Sequence, residues 1–110
     1  MTETCKEEFV DAATANSWLE SGDALLIDVR EAHEHKLARI ATANLNPLSS
    51  FDPRGIPIKD DKKIIFHCAS GVRCGIAAKK MMASGHEGTI YRLQGGIQAW
   101  HEAGYPILFE

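Results

Sequence analysis

Short apolar runs and longer amphipathic stretches alternate along the chain, and this alternation predicts strands separated by helices. Strands are predicted where β-branched and other apolar residues cluster, at positions 8–10, 25–29, 43–45, 64–66 and 89–93. Helical patterns follow Asp11, Arg73 and Gly96, and the short charged segment 31–37 is also predicted to be helical. Strands that alternate with helices pair in parallel through right-handed crossovers, so the sequence predicts an α/β sandwich.

Residues 49–61 form the longest irregular stretch of the chain. Pro53, Gly55 and Pro57 interrupt it and leave room for at most a single helical turn. No internal repeat, low-complexity tract or linker is present in the sequence. A chain of 110 residues can bury roughly two-thirds of its unfolded surface, so we expect residues 1–110 to form one domain.

Composition narrows the range of partners. With 45% hydrophobic and 25% charged residues, the chain is typical of a soluble globular protein. Its formal net charge of −3 argues against nucleic acid as a general partner, so any attraction for anions must be local. No run approaches the ~20 apolar residues that span a bilayer, and the acidic N-terminus lacks a secretion signal. We therefore expect a cytoplasmic protein without a membrane segment, in a compartment that keeps a reactive thiol reduced.

The segment 67–74 carries the strongest chemical signal. Cys68 follows a predicted buried strand and precedes a tight loop and a helix start, where backbone N–H groups and the positive helix end stabilise a thiolate. The alternative is an inert cysteine that packs as a small hydrophobe. The loop favours the nucleophile, since its small residues let amides turn inward and Arg73 adds a fixed charge that suits an anionic substrate. The predicted cradle consists of Ala69, Ser70, Gly71, Val72 and Arg73.

Loop length distinguishes two chemistries at such a cysteine. A tyrosine-phosphatase signature places five residues between the cysteine and the arginine, whereas four residues separate Cys68 from Arg73. One residue fewer contracts the cradle below what a tetrahedral phosphate needs. The smaller ring instead suits a single sulfur atom carried on the cysteine sulfur.

Three segments together resemble the rhodanese family of sulfurtransferases: 26–34, 68–73, and 93–100 with 104–106. The resemblance extends from about Phe9 to Pro106. It implies a three-layer α/β/α sandwich on a five-stranded parallel sheet and an active-site persulfide, which falls on Cys68. The chain departs from the family pattern at Ala38, Arg39 and Thr42, where two glycines and a histidine are usual, so we expect a different turn there.

Three charged residues are predicted to support the site. Asp28 ends a buried strand, where a carboxylate needs a partner, so we expect it to hold Arg30 or Arg73 rather than merely cap a helix. Glu34 either pairs with Arg73 or belongs to a solvated helix face, and the sequence leaves both readings open.

The remaining cysteines and histidines have simpler readings. Three cysteines do not make a disulfide framework, and Cys5 is expected to have no role. Cys74 is read as a small residue in the first helical turn, with resolution of an oxidised Cys68 as the alternative. The five histidines lack the spacing of a metal site, and His67 is read as a strand residue. We expect no metal and no organic cofactor.

The resemblance and the loop together predict a sulfurtransferase. It would move a sulfane sulfur from a small anionic donor, thiosulfate or a persulfide, to a nucleophilic acceptor such as cyanide, a thiol or a protein cysteine. Three alternatives stay open: an arsenate reductase or phosphatase on the same fold, a non-catalytic binding module, and a persulfide carrier with weak small-molecule turnover.

Overall fold

The computed structural model describes residues 5–59 and 61–109, and a parallel sheet lies at its centre. Within these residues, seven strands occur in chain order: β1 (Cys5–Val10), β2 (Ala24–Asp28), β3 (Ala38–Arg39), β4 (Ala43–Leu45), β5 (Lys63–His67), β6 (Gly88–Leu93) and β7 (Leu108–Phe109). Four helices lie between them: α1 (Ala12–Glu20), α2 (Ala32–Leu37), α3 (Arg73–Ala83) and α4 (Gly96–Glu102). Two short 3₁₀ turns, Leu48–Ser50 and Pro53–Gly55, precede β5.

Five of the strands form one sheet in the order β1-β6-β5-β2-β4, and every neighbouring pair is parallel. The central strands β2 and β5 are buried on both faces, which explains their nearly continuous apolar sequences. Strand order reverses between these two strands, and ligands of such sheets bind at the carboxyl ends of the strands at this point. Asp28 and His67 are register partners there.

Two cores, one on each face of the sheet, define the sandwich. On one face, Ile64 and Phe66 pack with Ala77, Ala78 and Met81 of α3. On the opposite face, Ile65 packs with Ala15 of α1 and Trp100 of α4. The predicted α/β/α architecture on a five-stranded parallel sheet is therefore confirmed.

Two local features differ from the prediction. Strand β1 begins at Cys5 rather than at residue 8, because it is an edge strand held to β6 by backbone pairing and needs no apolar alternation. The stretch 49–61 was expected to hold at most a single helical turn. It contains the 3₁₀ turn Pro53–Gly55, and the 3₁₀ turn Leu48–Ser50 overlaps its start. Asp52 caps the later turn by accepting from the Arg54 N–H at 3.0 Å.

The segment that departs from the family pattern forms β3, which pairs antiparallel with β7 near the end of the chain. In this register Ala38 faces Phe109 and Arg39 faces Leu108. The sequence did not predict this pair, because two-residue strands carry no periodicity and the contact joins distant parts of the chain. Among the described helices, none is both long enough and apolar enough to cross a membrane.

Candidate active site

Cys68 follows the last residue of β5 and lies at the point where strand order reverses. Its surface is only 1% exposed, and the Gly71 N–H donates to its Sγ at 3.0 Å. Gly71 adopts φ +109, a conformation that a residue with a side chain rarely takes. This glycine turns the chain so that its N–H faces the Cys68 sulfur.

The surroundings of Cys68 stabilise its thiolate. The neighbouring Cys74 side chain and the backbone N–H groups of Cys74, Gly71 and Arg73 lower the pKa of Cys68 to about 5. Burial opposes this effect but does not outweigh it. The sulfur is therefore mostly a thiolate at neutral pH, which is the reactive form.

Two backbone carbonyl groups at the start of the loop accept hydrogen bonds from the first residues of α4. The N–H of Ile97 donates to the Cys68 carbonyl at 2.9 Å, and that of Gln98 donates to the Ala69 carbonyl at 3.3 Å. Gly96 makes this approach possible, since a Cβ there would lie 2.6 Å from the Ala69 carbonyl carbon. The helical pattern that follows Gly96 in the sequence did not indicate this contact with the loop.

Arg73 begins α3 and pairs with Glu34 of α2. Its Nη1 and Nη2 donate to the two carboxylate oxygens of Glu34 at 2.6 and 2.9 Å. These hydrogen bonds lower the pKa of Glu34 to about 2 against the effect of burial, and they raise the pKa of Arg73. Of the two readings of Glu34, the geometry therefore selects the ion pair, and Arg73 is not a free cation.

Asp28 lies behind the loop in a buried charged cluster. The Arg30 side chain donates to both of its oxygens, with Nη2 to Oδ2 at 2.7 Å, so Asp28 holds Arg30 rather than Arg73. His35 adds a contact from its Nδ1 to Asp28 Oδ2 at 2.8 Å. Burial alone would raise the pKa of Asp28, but the hydrogen bonds from the Arg30 and His35 side chains outweigh it and lower the pKa to about 2.

His67 is a buried strand residue, as the sequence predicted, and it lies beside Asp28. Its Nε2 is 3.8 Å from Asp28 Oδ2 and makes no hydrogen bond. Burial lowers the pKa of His67, although Asp28 opposes this effect, so the ring stays neutral at neutral pH.

Two residues that the sequence did not assign to the site contact the loop from behind. The Cys74 Sγ donates to the Gly71 carbonyl at 3.0 Å, and Nη2 of Arg92 on β6 donates to the same oxygen at 2.9 Å. Arg92 passes over Gly75, where a Cβ would lie 2.8 Å from the guanidinium carbon. A glycine inside a helix costs about 1 kcal/mol relative to alanine, and this cost is the sequence signal for such a close approach.

The other predicted loop residues differ in their exposure to solvent. Ala69 is half-buried, whereas Ser70 and Val72 are exposed. Their roles in substrate binding stay predictions. Within residues 5–59 and 61–109, no group of three or more His, Cys, Asp or Glu side chains could hold a metal ion.

Comparison with known proteins places the chain among described relatives. An uncharacterised protein from Synechocystis sp. is 38% identical over 84 residues, which are 76% of this chain and 46% of that protein. A protein named tRNA uridine(34) hydroxylase from Escherichia fergusonii is 31% identical over 111 residues, 92% of this chain and 31% of the hydroxylase. The chain thus spans less than half the length of either relative.

One solved structure matches this chain over nearly the full length of both proteins. The crystal structure of a rhodanese-related protein from Thermoplasma volcanium matches with a TM-score of 0.75 at 30% identity, covering 94% of this chain and 99% of that one. The sequence model of the rhodanese-like domain matches residues 11–103, from the cap of α1 to the residue after α4. The chain therefore belongs to the rhodanese-like domain family.

Proposed function

We propose that the chain is a sulfurtransferase that carries a sulfane sulfur on Cys68. One observation carries the proposal: a buried cysteine sulfur that accepts a hydrogen bond from the Gly71 N–H at 3.0 Å, in a loop that lowers its pKa to about 5. Such a sulfur is a ready nucleophile at neutral pH and needs no general base. Membership of the rhodanese-like domain family supports the same class of chemistry.

The reaction has two steps that balance without a cofactor. The Cys68 thiolate attacks the outer sulfur of thiosulfate, and the sulfur–sulfur bond of the donor breaks with its electron pair leaving on sulfite. A new sulfur–sulfur bond makes Cys68 a persulfide. A nucleophilic acceptor such as cyanide or a thiol then attacks the outer sulfur and regenerates the thiolate.

The loop suits the persulfide as well as the thiolate. Backbone N–H groups are oriented dipoles that stabilise negative charge without moving during the reaction. A persulfide anion carries this charge on the outer sulfur, one bond further from the Cys68 side chain, and the same loop includes the exposed residues Ser70 and Val72. Arg73 would orient the anionic donor while Glu34 holds the guanidinium in place.

The persulfide is the intermediate that the first experiment measures. Incubation with thiosulfate and intact-mass analysis should show a gain of one sulfur atom, lost again on adding cyanide. Cys68→Ser should show no gain, and Cys5→Ser serves as the matched control that retains it. A parent protein that gains no sulfur from thiosulfate or from a glutathione persulfide would overturn the proposal.

Turnover distinguishes an enzyme from a persulfide carrier. If sulfur loads readily on Cys68 but cyanide removes it slowly while a protein thiol removes it quickly, the carrier reading applies. Hydrolysis of p-nitrophenyl phosphate tests the phosphatase alternative, which the four-residue loop disfavours. Inserting one residue between Gly71 and Val72 should weaken sulfur transfer by widening the loop.

A relative's name supplies a second candidate function, modification of uridine in tRNA. The chain covers 31% of that relative, and its net charge of −3 disfavours nucleic acid binding on its own. Gel-shift titration against bulk tRNA at low salt tests this candidate. Binding in the micromolar range would favour it over transfer between small molecules.

A further inference from the structure

Arg92 of β6 contacts the loop through the backbone of Gly71. Its Nη2 donates to the Gly71 carbonyl oxygen at 2.9 Å, while the N–H of the same glycine donates to Cys68 Sγ at 3.0 Å. Only the φ and ψ rotations separate this carbonyl from this N–H, so hydrogen bonds at both ends fix the conformation of the residue. The orientation of the donor to Cys68 is therefore coupled to the contact that Arg92 makes.

We propose that Arg92 is a positioning residue, whose hydrogen bond to the Gly71 carbonyl holds the turn in which the Gly71 N–H faces the Cys68 sulfur. In this role Arg92 acts through Gly71 and not on the reacting sulfur. The inference deepens the proposed function and rests on it for its use in sulfur transfer.

Gly71 needs such an anchor because it is a glycine. Its φ of +109 is open to glycine, but the same freedom lets an unrestrained glycine leave this conformation. The Cys74 Sγ also donates to the Gly71 carbonyl, at 3.0 Å. A thiol is a weak donor, whereas a guanidinium makes a charge-assisted hydrogen bond. Without Arg92, the carbonyl would keep only the weaker of its two donors.

The fold places the Arg92 guanidinium from the side of β1. Phe9 is the register partner of Arg92, and the guanidinium carbon lies 4.5 Å from the centroid of its ring. Nη1 of Arg92 lies 3.3 Å from Glu7 Oε1. The Nε of Arg92 is buried and makes no hydrogen bond, which costs free energy. These contacts leave Nη2 directed at the loop.

Gly75 of α3 provides the space for this contact. A Cβ at Gly75 would lie 2.8 Å from Cζ of Arg92 and 2.8 Å from Nη2, the atom that binds the Gly71 carbonyl. Glycine inside a helix is less stable than alanine. The helix therefore carries its least favourable ordinary residue at the point where Arg92 passes, and an alanine there would displace the guanidinium.

The other charged groups around Cys68 are held by partners of their own. Arg73 on α3 is bound by Glu34 of α2, and Asp28 at the end of β2 is bound by Arg30. These pairs stay intact when Arg92 is replaced.

Two further titratable groups lie beside Cys68, and both stay uncharged at neutral pH. Burial lowers the pKa of His67, which precedes Cys68 on β5. The neighbouring Cys68 side chain and burial raise the pKa of Cys74 on α3. A change at Arg92 should therefore appear directly in the acidity of Cys68.

The first test measures iodoacetamide alkylation of Cys68 against pH in a Cys5→Ser background, with peptide mass analysis to assign the label. Arg92→Met should raise the midpoint by roughly one pH unit, the effect of losing one hydrogen bond to a charged sulfur. Lys79→Met is the matched control, since it removes another cation that contacts Glu7, at 3.5 Å, and should leave the midpoint unchanged. An unchanged midpoint in Arg92→Met, or an equal rise in both variants, would overturn the proposal.

Gly75→Ala separates the hydrogen bond from the charge, because it keeps every cation and favours the helix. The midpoint should rise in this variant too. In an Arg92→Met background, Gly75→Ala should have no further effect, since the contact that it disturbs is already absent. An equal rise in both backgrounds would show that the effect does not pass through Arg92, and would overturn the proposal.

Exchange of the Gly71 amide hydrogen, followed by NMR, measures the turn itself. It should be faster in Arg92→Met and in Gly75→Ala than in the parent, and parent-like exchange in both would contradict the positioning role. Neither alkylation nor amide exchange needs a sulfur donor. A failure to load sulfur from thiosulfate would therefore reject the proposed function and leave this inference standing.

Discussion

Two anionic side chains at neighbouring strand ends are held in opposite ways. Asp28, at the end of β2, is bound by the Arg30 guanidinium through both oxygens and by His35. Cys68, just beyond the end of β5, accepts from the Gly71 N–H, and the uncharged backbone N–H groups and Cys74 side chain around it lower its pKa. Both groups have lowered pKa values, one through direct pairing with a cation and the other mainly through neutral donors.

The cations near Cys68 are each engaged by a carboxylate. Arg73 binds Glu34 and Arg92 lies against Glu7, so neither is free to pair with the sulfur as Arg30 pairs with Asp28. A carboxylate paired with a cation in this way stabilises the fold. A thiolate held by dipoles keeps its electron pair available, because no counter-ion has to leave before it reacts.

The largest expected effect comes from removing the Cys68 sulfur, whose negative charge the backbone N–H groups stabilise. Cys68→Ser should abolish transfer from thiosulfate to cyanide, because a serine hydroxyl does not ionise near neutral pH. Its urea midpoint should stay close to that of the parent. Steady-state assays with Cys5→Ser as the matched control check this, and substantial residual turnover in Cys68→Ser would contradict the assignment.

Removing the anion held by a cation should instead cost stability. Asp28→Asn keeps the shape but leaves Arg30 buried without its counter-charge, for an expected loss of about 3–5 kcal/mol in the free energy of unfolding. Urea denaturation measures this loss. The double variant Asp28→Asn with Arg30→Met should recover part of the stability. If Asp28→Asn alone is as stable as the parent, the pair does not stabilise the fold.

As the pH is lowered, Cys68 and Asp28 should take up protons in different pH ranges. Thiosulfate turnover should fall as the pH drops through about 5, where the Cys68 thiolate takes up a proton. The contribution of Asp28 to stability is complete above its ordinary pKa of 3.8 and is lost as the pH falls to about 2, since its folded pKa is lowered. This loss amounts to about 2 kcal/mol. Turnover and urea unfolding measured over the same pH series should show these two separate transitions.

The smallest effect is expected from substitution of Arg73 by lysine. Arg73→Lys keeps the charge but loses the two-pronged contact with Glu34, so kcat/KM for thiosulfate should fall about tenfold, or about 1.4 kcal/mol. Arg73→Ala should lose more with thiosulfate than with a neutral sulfur donor. An equal loss with both donors would point to collapse of the loop.

The sequence predicted the features of the site that are local in the chain. The run from 64 to 73 carries the strand, the loop length and the helix start within ten positions, and Asp28 with Arg30 are two residues apart. Glu34 could be placed only as one of two alternatives, because its partner Arg73 is 39 positions away. Local patterns do not record which distant side chains meet.

The same limit explains what was missed. Cys74 matched a small helical residue in sequence, and only its hydrogen bond to the Gly71 carbonyl distinguishes it. Arg92 lies 21 positions from the carbonyl that it binds, on a strand whose pattern indicates only pairing. Strand β3 needed β7 as a partner, and neither segment is long enough to show a period.

The contact between α4 and the loop has a consequence for how far the site can be transplanted. The carbonyls of Cys68 and Ala69 are held by N–H groups of Ile97 and Gln98, from a different crossover. A fragment or graft that carries only 64–83 would contain the whole motif and its helix, but these carbonyls would be free to rotate. The smallest portable unit therefore comprises two βα crossovers, joined where Gly96 lets their backbones touch.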